Sequence, residues 1–305
     1  MTAITRSAHP DALWPGVFEW FGLSYKEQEE TYKRLFDTNP SKKHMEVIAE
    51  ATTFGLAPLK AEGASISYDE ARQGIKSTFT HHVYALGYIV TREEMEDNQY
   101  DELSRARSRA LAFSMRKTKE IVHWNVLNRA FSASYLGGDG VSLCSTAHVT
   151  RSGNQTNRPA TDADLSEASL EDACKDIWNM KNARGLRIQA SPKMLVIPNN
   201  ERFNAERYLN STLRPGTANN DLNAIKSMNM FDDGVLNTPY LTDTDGWFIT
   251  VDIGGDKGLK SFDRRKLDFG KDEDFGTENA RAKSTMRFSV GWSDWRAIYG
   301  TQGAG

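Results

Sequence analysis

The hydrophobic pattern changes period several times along the chain, and each period predicts an element. The first 36 residues are dense in large apolar side chains (Trp14, Phe18, Trp20, Phe21, Tyr32 and Phe36), with a short helical run at residues 25–36. An apolar load of that density in a terminal arm must be covered, either by its own domain or by a neighbouring molecule. Residues 64–70 alternate polar and apolar, and residues 75–90 are rich in β-branched and aromatic side chains. With the glycine-containing turn at residues 71–74 between them, they read as a β-hairpin. Its first half is polar on both faces, so it makes a poor core sheet and reads as a projecting arm that finds its packing elsewhere. The residues this reading puts at contacts with neighbours are Trp14, Phe18, Trp20 and Phe21 in the arm, and Ile66, Tyr68, Arg72, Lys76 and Phe79 in the hairpin.

Residues 91–135 contain no proline and no glycine. Thr91, three residues before Glu94, predicts a capping box. Leu103, Ala106, Ala110, Phe113, Ile121, Trp124, Leu127, Phe131 and Tyr135 recur at helical spacing, interrupted by Lys117. Gly137 and Gly138 stop the run. Such a helix would span roughly 60 Å. The small Ala106 and Ala110 and the broken heptad argue against a coiled coil and for a long helix lying across a sheet. Residues 137–164 are rich in Gly, Ser, Thr and Asn and read as a long loop. A second helix follows, with Leu170, Ala173, Ile177 and Met180 on one face and Gly185 as its C-terminal cap. Residues 192–198 predict a buried strand, residues 201–211 a third helix, residues 214–220 a loop and residues 247–253 another core strand. Residues 285–292 alternate again, and Trp295, Ala297 and Tyr299 follow in a shifted register. There is no internal repeat, and the sum is an α+β fold.

Composition narrows the classes. The 305 residues suit one large domain or two intimately joined ones. With 39% hydrophobic and 26% charged residues, the chain is neither a disordered polyampholyte nor built for a bilayer, and no stretch approaches a membrane span. The first ten residues lack the apolar core of a signal peptide, which predicts synthesis in the cytosol. Two cysteines, Cys144 and Cys174, are too few for a disulfide framework or a structural zinc. The net charge of −3 is not that of a protein gripping nucleic acid. The nearest basic stripe, Arg105, Arg107, Arg109, Arg116, Lys117 and Lys119, winds around its helix and reads as a solvated surface.

No constellation carries chemistry. Residues 137–140 and 254–258 are glycine-rich but match neither a P-loop nor a dinucleotide fingerprint, and no G-x-S-x-G elbow occurs. His81 and His82 point to opposite faces of a strand and cannot chelate one ion together. Cys144 and His148 have no further cysteine nearby, and Asp232-Asp233 and residues 272–274 read as solvated acidic turns. Seven tryptophans and fourteen phenylalanines without an active-site signature favour a protein whose work is interaction.

The order of elements then resembles a known family. An N-terminal arm, an extended hairpin, a long helix and a mixed remainder closing on a C-terminal strand look like the tailed-phage major capsid fold, the Johnson fold. LCSTAH at residues 143–148, DLSEASLEDACKDIWNMKNARGLRI at 164–188, SPKMLVIPNNERFNAERYLNS at 191–211 and GTANNDLN at 216–223 resemble the major head subunits of Mu-like phages and prophages. The resemblance implies an N-terminal arm at residues 1–60 and an extended loop at 61–90 lying over the neighbouring subunit. It implies a peripheral domain with its spine helix at 91–139, a mainly axial domain at 140–260, and a return to the peripheral domain and C-terminal strand at 261–305. It implies self-assembly into hexamers and pentamers of an icosahedral shell around double-stranded DNA, with no catalysis, cofactor or metal. Partners would be copies of the chain itself, a scaffolding protein supplied separately because the arm is short, a portal at one vertex and a decoration protein. The product would be made in the bacterial host's cytoplasm and reside in the virion. Some members crosslink through a lysine of the extended loop; Lys76 lies near this hairpin's turn, and no motif assigns it a partner. The alternatives are an encapsulin-like compartment shell and a hydrolase with a non-local active site.

Overall fold

The computed structural model describes residues 21–23, 25, 29–63, 65–91, 93, 100–213, 221–274, 276–277 and 279–304. In chain order its strands and α-helices are β1 (Asp37–Pro40), β2 (Met45–Ala51), β3 (Gln73–Thr80), β4 (His82–Val90), α1 (Tyr100–Asn128), β5 (His148–Thr150), β6 (Gly153–Gln155), α2 (Glu167–Trp178), β7 (Ser191–Pro198), α3 (Arg202–Asn210), α4 (Ala224–Ser227), β8 (Val235–Thr238), β9 (Trp247–Asp252), β10 (Leu259–Glu273), β11 (Ala280–Trp292) and β12 (Ile298–Thr301).

Two four-stranded sheets organise the molecule. The first has the order β1-β10-β11-β4, with β1 parallel to β10 and the other pairs antiparallel. The second has the order β12-β9-β7-β8, with β7 and β8 parallel. The central strands of the second sheet are apolar on both faces, as a doubly covered sheet requires. Met194 and Val196 of β7 join the cluster around Trp124, whereas Leu195 and Ile197 pack under α2 with Leu170, Ala173 and Ile177. Ser166 caps α2 in a reciprocal capping box with Ser169. That helix stops at Trp178, so Gly185 is not its cap. Gly185 takes a positive φ of 83° in the following turn, where its N–H bonds to the Asn182 carbonyl.

The long helix lies across the first sheet, but its buried face is not the predicted stripe. Phe113 and Ile121 are about half exposed and Ala106 and Ala110 face solvent. The covered face carries Leu111, Ala112, Met115, Trp124 and Leu127 together with Arg116, Lys119, Glu120 and His123. Burying those polar groups is tolerable because each finds a partner, although Arg116 Nε is left without one. Arg116 pairs with Glu30 and lies 4.0 Å over the Tyr25 ring. Lys119 reaches Asp263 at 2.9 Å. Glu120 accepts from the Thr31 N–H at 2.9 Å, its hydroxyl at 2.7 Å and the Trp124 indole at 3.1 Å. Arg116 and Lys119 therefore leave the solvated surface assigned to them. The helix also ends at Asn128 rather than near residue 135. Phe131 turns away to stack on Phe248 at 5.6 Å, and the Cys144 N–H binds the Ala130 carbonyl, so tertiary packing ends a run that local pattern would extend. Glu94 of the predicted cap lies outside the described residues.

The same polar groups fix the end of the arm. Of the run predicted helical at residues 25–36, Tyr25 is helical and Thr31–Arg34 form a short 3-10 turn, while residues 26–28 lie outside the described residues. Tyr32, Leu35 and Phe36 are sealed in the main core with Trp124, Leu127 and Trp295. Phe21 is buried against Phe269 with ring centroids 4.9 Å apart.

The hairpin is built from different residues than the alternation suggests. Residues 65–72 form no strand. The first strand is β2, paired antiparallel with β3 from Met45↔Thr80 to Ala51↔Gln73. Residues 75–90 are not one strand either. The chain breaks at His81, where β3 leaves its partner β2 and β4 takes up β11. His81 is buried and held by the hydroxyls of Ser41 at 3.1 Å and Ser289 at 3.0 Å, which sets the break.

The predicted long loop at residues 137–164 has a rigid interior. Asn157 is fully buried, and its amide donates to the carbonyls of Leu143, Ile298 and Trp295 at 2.8, 2.9 and 3.0 Å. Its Oδ1 accepts from the Ser145 N–H at 2.9 Å and from His148 Nε2 at 3.0 Å. His148 Nδ1 meets Asp139 at 2.5 Å, and the ring stacks on Trp295 at 4.0 Å.

Candidate assembly surfaces

The hairpin β2–β3 is docked by one face and open on the other. Inward, Phe79 packs edge-on against Phe262 at 5.1 Å, Ile75 packs against the main core, and Glu50 pairs with Arg296 at 3.4 Å. Outward, Met45, Val47, Lys76 and Thr78 stand exposed on alternate positions. The connecting residues 52–72 form a long exposed loop with a closed neck. The Thr52 N–H binds the Arg72 carbonyl at 2.9 Å, and the Arg72 N–H returns to the Thr52 hydroxyl at 2.8 Å. Two contacts tether the loop to the turn after α2: Asn182 to Thr53 at 2.9 Å, and Arg184 to Asp69. The Arg184 guanidinium and the N–H groups of Gly55 and Glu70 hold the Asp69 carboxyl at a pKa of about 2.

On that anchored loop sit Phe54, Leu56, Leu59, Ile66 and Tyr68 with nothing over them. Leu59 is 100% exposed and Tyr68 92%. Single exposed apolar residues are ordinary, but five on one loop mark a contact. A second open apolar set, Phe203, Leu213, Leu222 and Met228, lies on and around α3 and α4. A third lies on the edge strand β4, with Val83, Leu86 and Ile89.

The buried titratable groups are locked rather than poised. Burial drives the Cys144 thiol far up and takes Cys174 to about 11, so neither is a ready nucleophile. Burial holds His123 at about 3; its Nδ1–H donates to the Lys119 carbonyl at 2.6 Å and its Nε2 accepts from the Ser261 hydroxyl at 2.8 Å. Among the described residues no group of His, Cys, Asp and Glu is arranged to hold a metal ion, and no helix is long and apolar enough to cross a membrane.

Of the nine sequence-predicted contact residues, Ile66, Tyr68, Arg72 and Lys76 are exposed, whereas Phe21 and Phe79 are committed to the subunit's own interior. Trp14, Phe18 and Trp20 lie outside the described residues. Sequence reasoning missed Phe54, Leu56 and Leu59, and the signal was there: three large apolar residues in a stretch with no periodicity that any element could bury.

A profile of the phage capsid protein family matches residues 75–301, most of the chain. The chain belongs to the phage capsid protein family. It is a structural capsid protein, a builder of the icosahedral phage head shell, rather than an enzyme. No curated protein sequence matches it. Among solved structures, the capsid protein is similar to a chain of Microbacterium phage Oxtober96, with a TM-score of 0.55 and 9% identity over 90% of this chain and 91% of that one. It is similar to a virus-like particle from Pyrococcus furiosus, with a TM-score of 0.53 and 10% identity over 93% and 97%. It is also similar to a capsid of bacteriophage JBD30 decorated with minor capsid protein trimers, with a TM-score of 0.54 and 14% identity over 70% and 92%. At such identities the likeness is one of fold, the tailed-phage capsid fold in each case where the partner is a phage.

Proposed function

We propose that this capsid protein is the major head subunit of a Mu-like tailed phage or prophage, and that its copies form hexamers and pentamers around double-stranded DNA. The quoted phrases at residues 143–223 support the Mu-like placement. In this reading β2, β3 and the loop between them are the extended loop, α1 with the sheet β1-β10-β11-β4 is the peripheral domain, and the sheet β12-β9-β7-β8 with α2 and α3 is the axial domain. The extended loop is thus residues 45–80 rather than 61–90. The virion is its destination and the bacterial cytoplasm its place of synthesis. Scaffolding and portal proteins are its partners during assembly. A decoration protein is a further partner, as the decorated JBD30 capsid of similar fold suggests.

The observation that carries the reading is the anchored loop with its bare tip. Covering five large side chains releases roughly 1.5–3 kcal/mol each as an upper bound, a gain open only to a subunit with a neighbour. The test is electron microscopy of the chain expressed alone and beside its neighbouring scaffold gene. Closed icosahedral shells in the co-expression are expected, and a persistent monomer in both would count against the reading. An encapsulin-like compartment shares the fold, and shells filled with protein cargo instead of DNA would favour it.

A further inference from the structure

The strand β4 is a sheet edge without the usual guards. Native sheets protect their edges with charges, prolines, bulges or short strands, because a bare edge invites another strand to pair. The other edges follow that practice. β1, β8 and β12 are four residues each, and β1 starts on Asp37 and ends on Pro40. β2 carries Glu46 and Glu50, and its register breaks between Ala49 and Ala51. By contrast, β4 is nine residues long, contains no Asp, Glu, Lys, Arg or Pro, and pairs with β11 in unbroken register from end to end. Among the described residues no strand pairs with its outer side. The docked hairpin leaves it open: Val83 and Ile89 are each 57% exposed and Leu86 46%.

The sequence of this edge says what pairs with it. Read outward from Leu86 in both directions, the strand matches itself: Ala85 with Gly87, Tyr84 with Tyr88, Val83 with Ile89. Two identical antiparallel strands related by a two-fold axis set residue i opposite residue j with i + j constant. The pleats must also agree, so the axis has to pass through a residue position. Centred on Leu86, the whole strand is paired. Val83 then meets Ile89 of the second copy on the face away from α1. Leu86 meets Leu86 on the face that α1 covers, where Tyr84 stacks on Phe288 at 4.8 Å. A centre one residue earlier sets Val83 against Gly87, and one residue later sets Ile89 against Ala85, so the apolar pairs fit one register only. An icosahedral shell contains two-fold axes, and copies across such an axis meet through the same patch, which must complement itself.

We propose that β4 pairs antiparallel with β4 of a second copy across a two-fold axis centred on Leu86, which joins two four-stranded sheets into one continuous sheet. The inference rests on the shell reading above and names one of the contacts that closes the shell. Main-chain hydrogen bonds hold the pair, and the apolar cross-strand pairs set its register.

The test is cysteine pairing in assembled shells of the full-length chain. Opposed residues of an antiparallel pair lie about 4.5–5.5 Å apart between Cα atoms, within disulfide reach. Both native cysteines are buried. Mild oxidation of Leu86→Cys shells should move most of the protein into a disulfide dimer on a non-reducing gel. Val83→Cys shells should give no dimer, because the two cysteines would stand roughly 20 Å apart along the strands, and Ile89→Cys shells should behave likewise. Co-expressed Val83→Cys and Ile89→Cys subunits should bring the dimer back, which covers the case in which Leu86→Cys fails to assemble. Closed shells without a dimer from Leu86→Cys or from the mixed pair would overturn the inference, leave the capsid reading intact and give the edge to another segment or partner. Dimers from Val83→Cys alone would overturn the register. A wild-type chain that forms no shells even beside its scaffold gene would sink the head-subunit reading and this contact together.

Discussion

Two stretches within the first eighty residues both carry large apolar side chains and end in opposite environments. Tyr32, Leu35 and Phe36 are sealed in the core under α1, whereas Phe54, Leu56, Leu59, Ile66 and Tyr68 stand in solvent on the hairpin loop. Hydrophobicity does not separate them. What does is the polar company on the long helix: Glu120 takes Thr31, Arg116 takes Glu30, and the residues that follow, Tyr32 to Phe36, are drawn down onto Trp124 and His123. The loop has its own polar ties, Asp69 to Arg184 and Thr53 to Asn182, but they hold its neck and flank and leave its tip uncovered. The described part of the arm thus belongs to the subunit, and the surface held ready for a lattice is narrower than an arm plus a hairpin.

The comparison can be broken most forcefully in the core. Trp124→Ala or Phe36→Ala should cost about 3–5 kcal/mol in chemical denaturation, as expected for a large side chain removed from a fully packed site. Leu59→Ala, with its side chain bare, should change the same measurement by no more than about 0.5 kcal/mol. Equal losses at the two sites would erase the distinction.

A more gradual effect comes from acid. His123 packs tilted against Tyr32 with ring centroids 3.9 Å apart and is held neutral by burial, with a folded pKa of about 3 against the ordinary imidazole value of about 6.5. Because the folded value is the lower one, its contribution is complete above about pH 6.5 and is lost as pH falls toward 3. The loss is at most about 1.4 kcal/mol per pH unit over that window. Unfolding titrations at several pH values should show the slope in the wild type and a flatter one in His123→Gln. A profile as steep in the variant would assign the acid sensitivity to other groups. The smallest effect belongs to the loop tether. Asp69 is depressed to about 2, so its tie to Arg184 stands at pH 5 and fails only as pH falls through about 2. Asp69→Asn should raise protease cleavage within residues 52–72 at neutral pH without moving the global unfolding midpoint.

The contrast also shows what the sequence could and could not reveal. The helix α2, the strands β7 and β9 and the closing β11–β12 segment were legible because their apolar residues are buried by simple periodicity on one or two faces. The face of α1 was misread because its buried positions include Arg116, Lys119, Glu120 and His123, whose partners come from residues 30–31 and 261–263 and leave no local trace. The hairpin's partner strand was missed for a related reason. Met45–Ala51 is short and half exposed, and residues 64–70 alternate more cleanly although 65–70 form no strand. Asn157 and His148 had no signal at all, since a buried polar hub inside a Gly- and Ser-rich stretch looks like any solvated loop.

The most direct measurement replaces residues 53–71 with a short glycine-containing turn and follows one preparation by two readings, chemical unfolding of the isolated subunit and electron microscopy of assembly. The account predicts an unfolding free energy within about 1 kcal/mol of the wild type and no closed shells. Closed shells at normal yield, or a subunit that no longer folds without that loop, would contradict it.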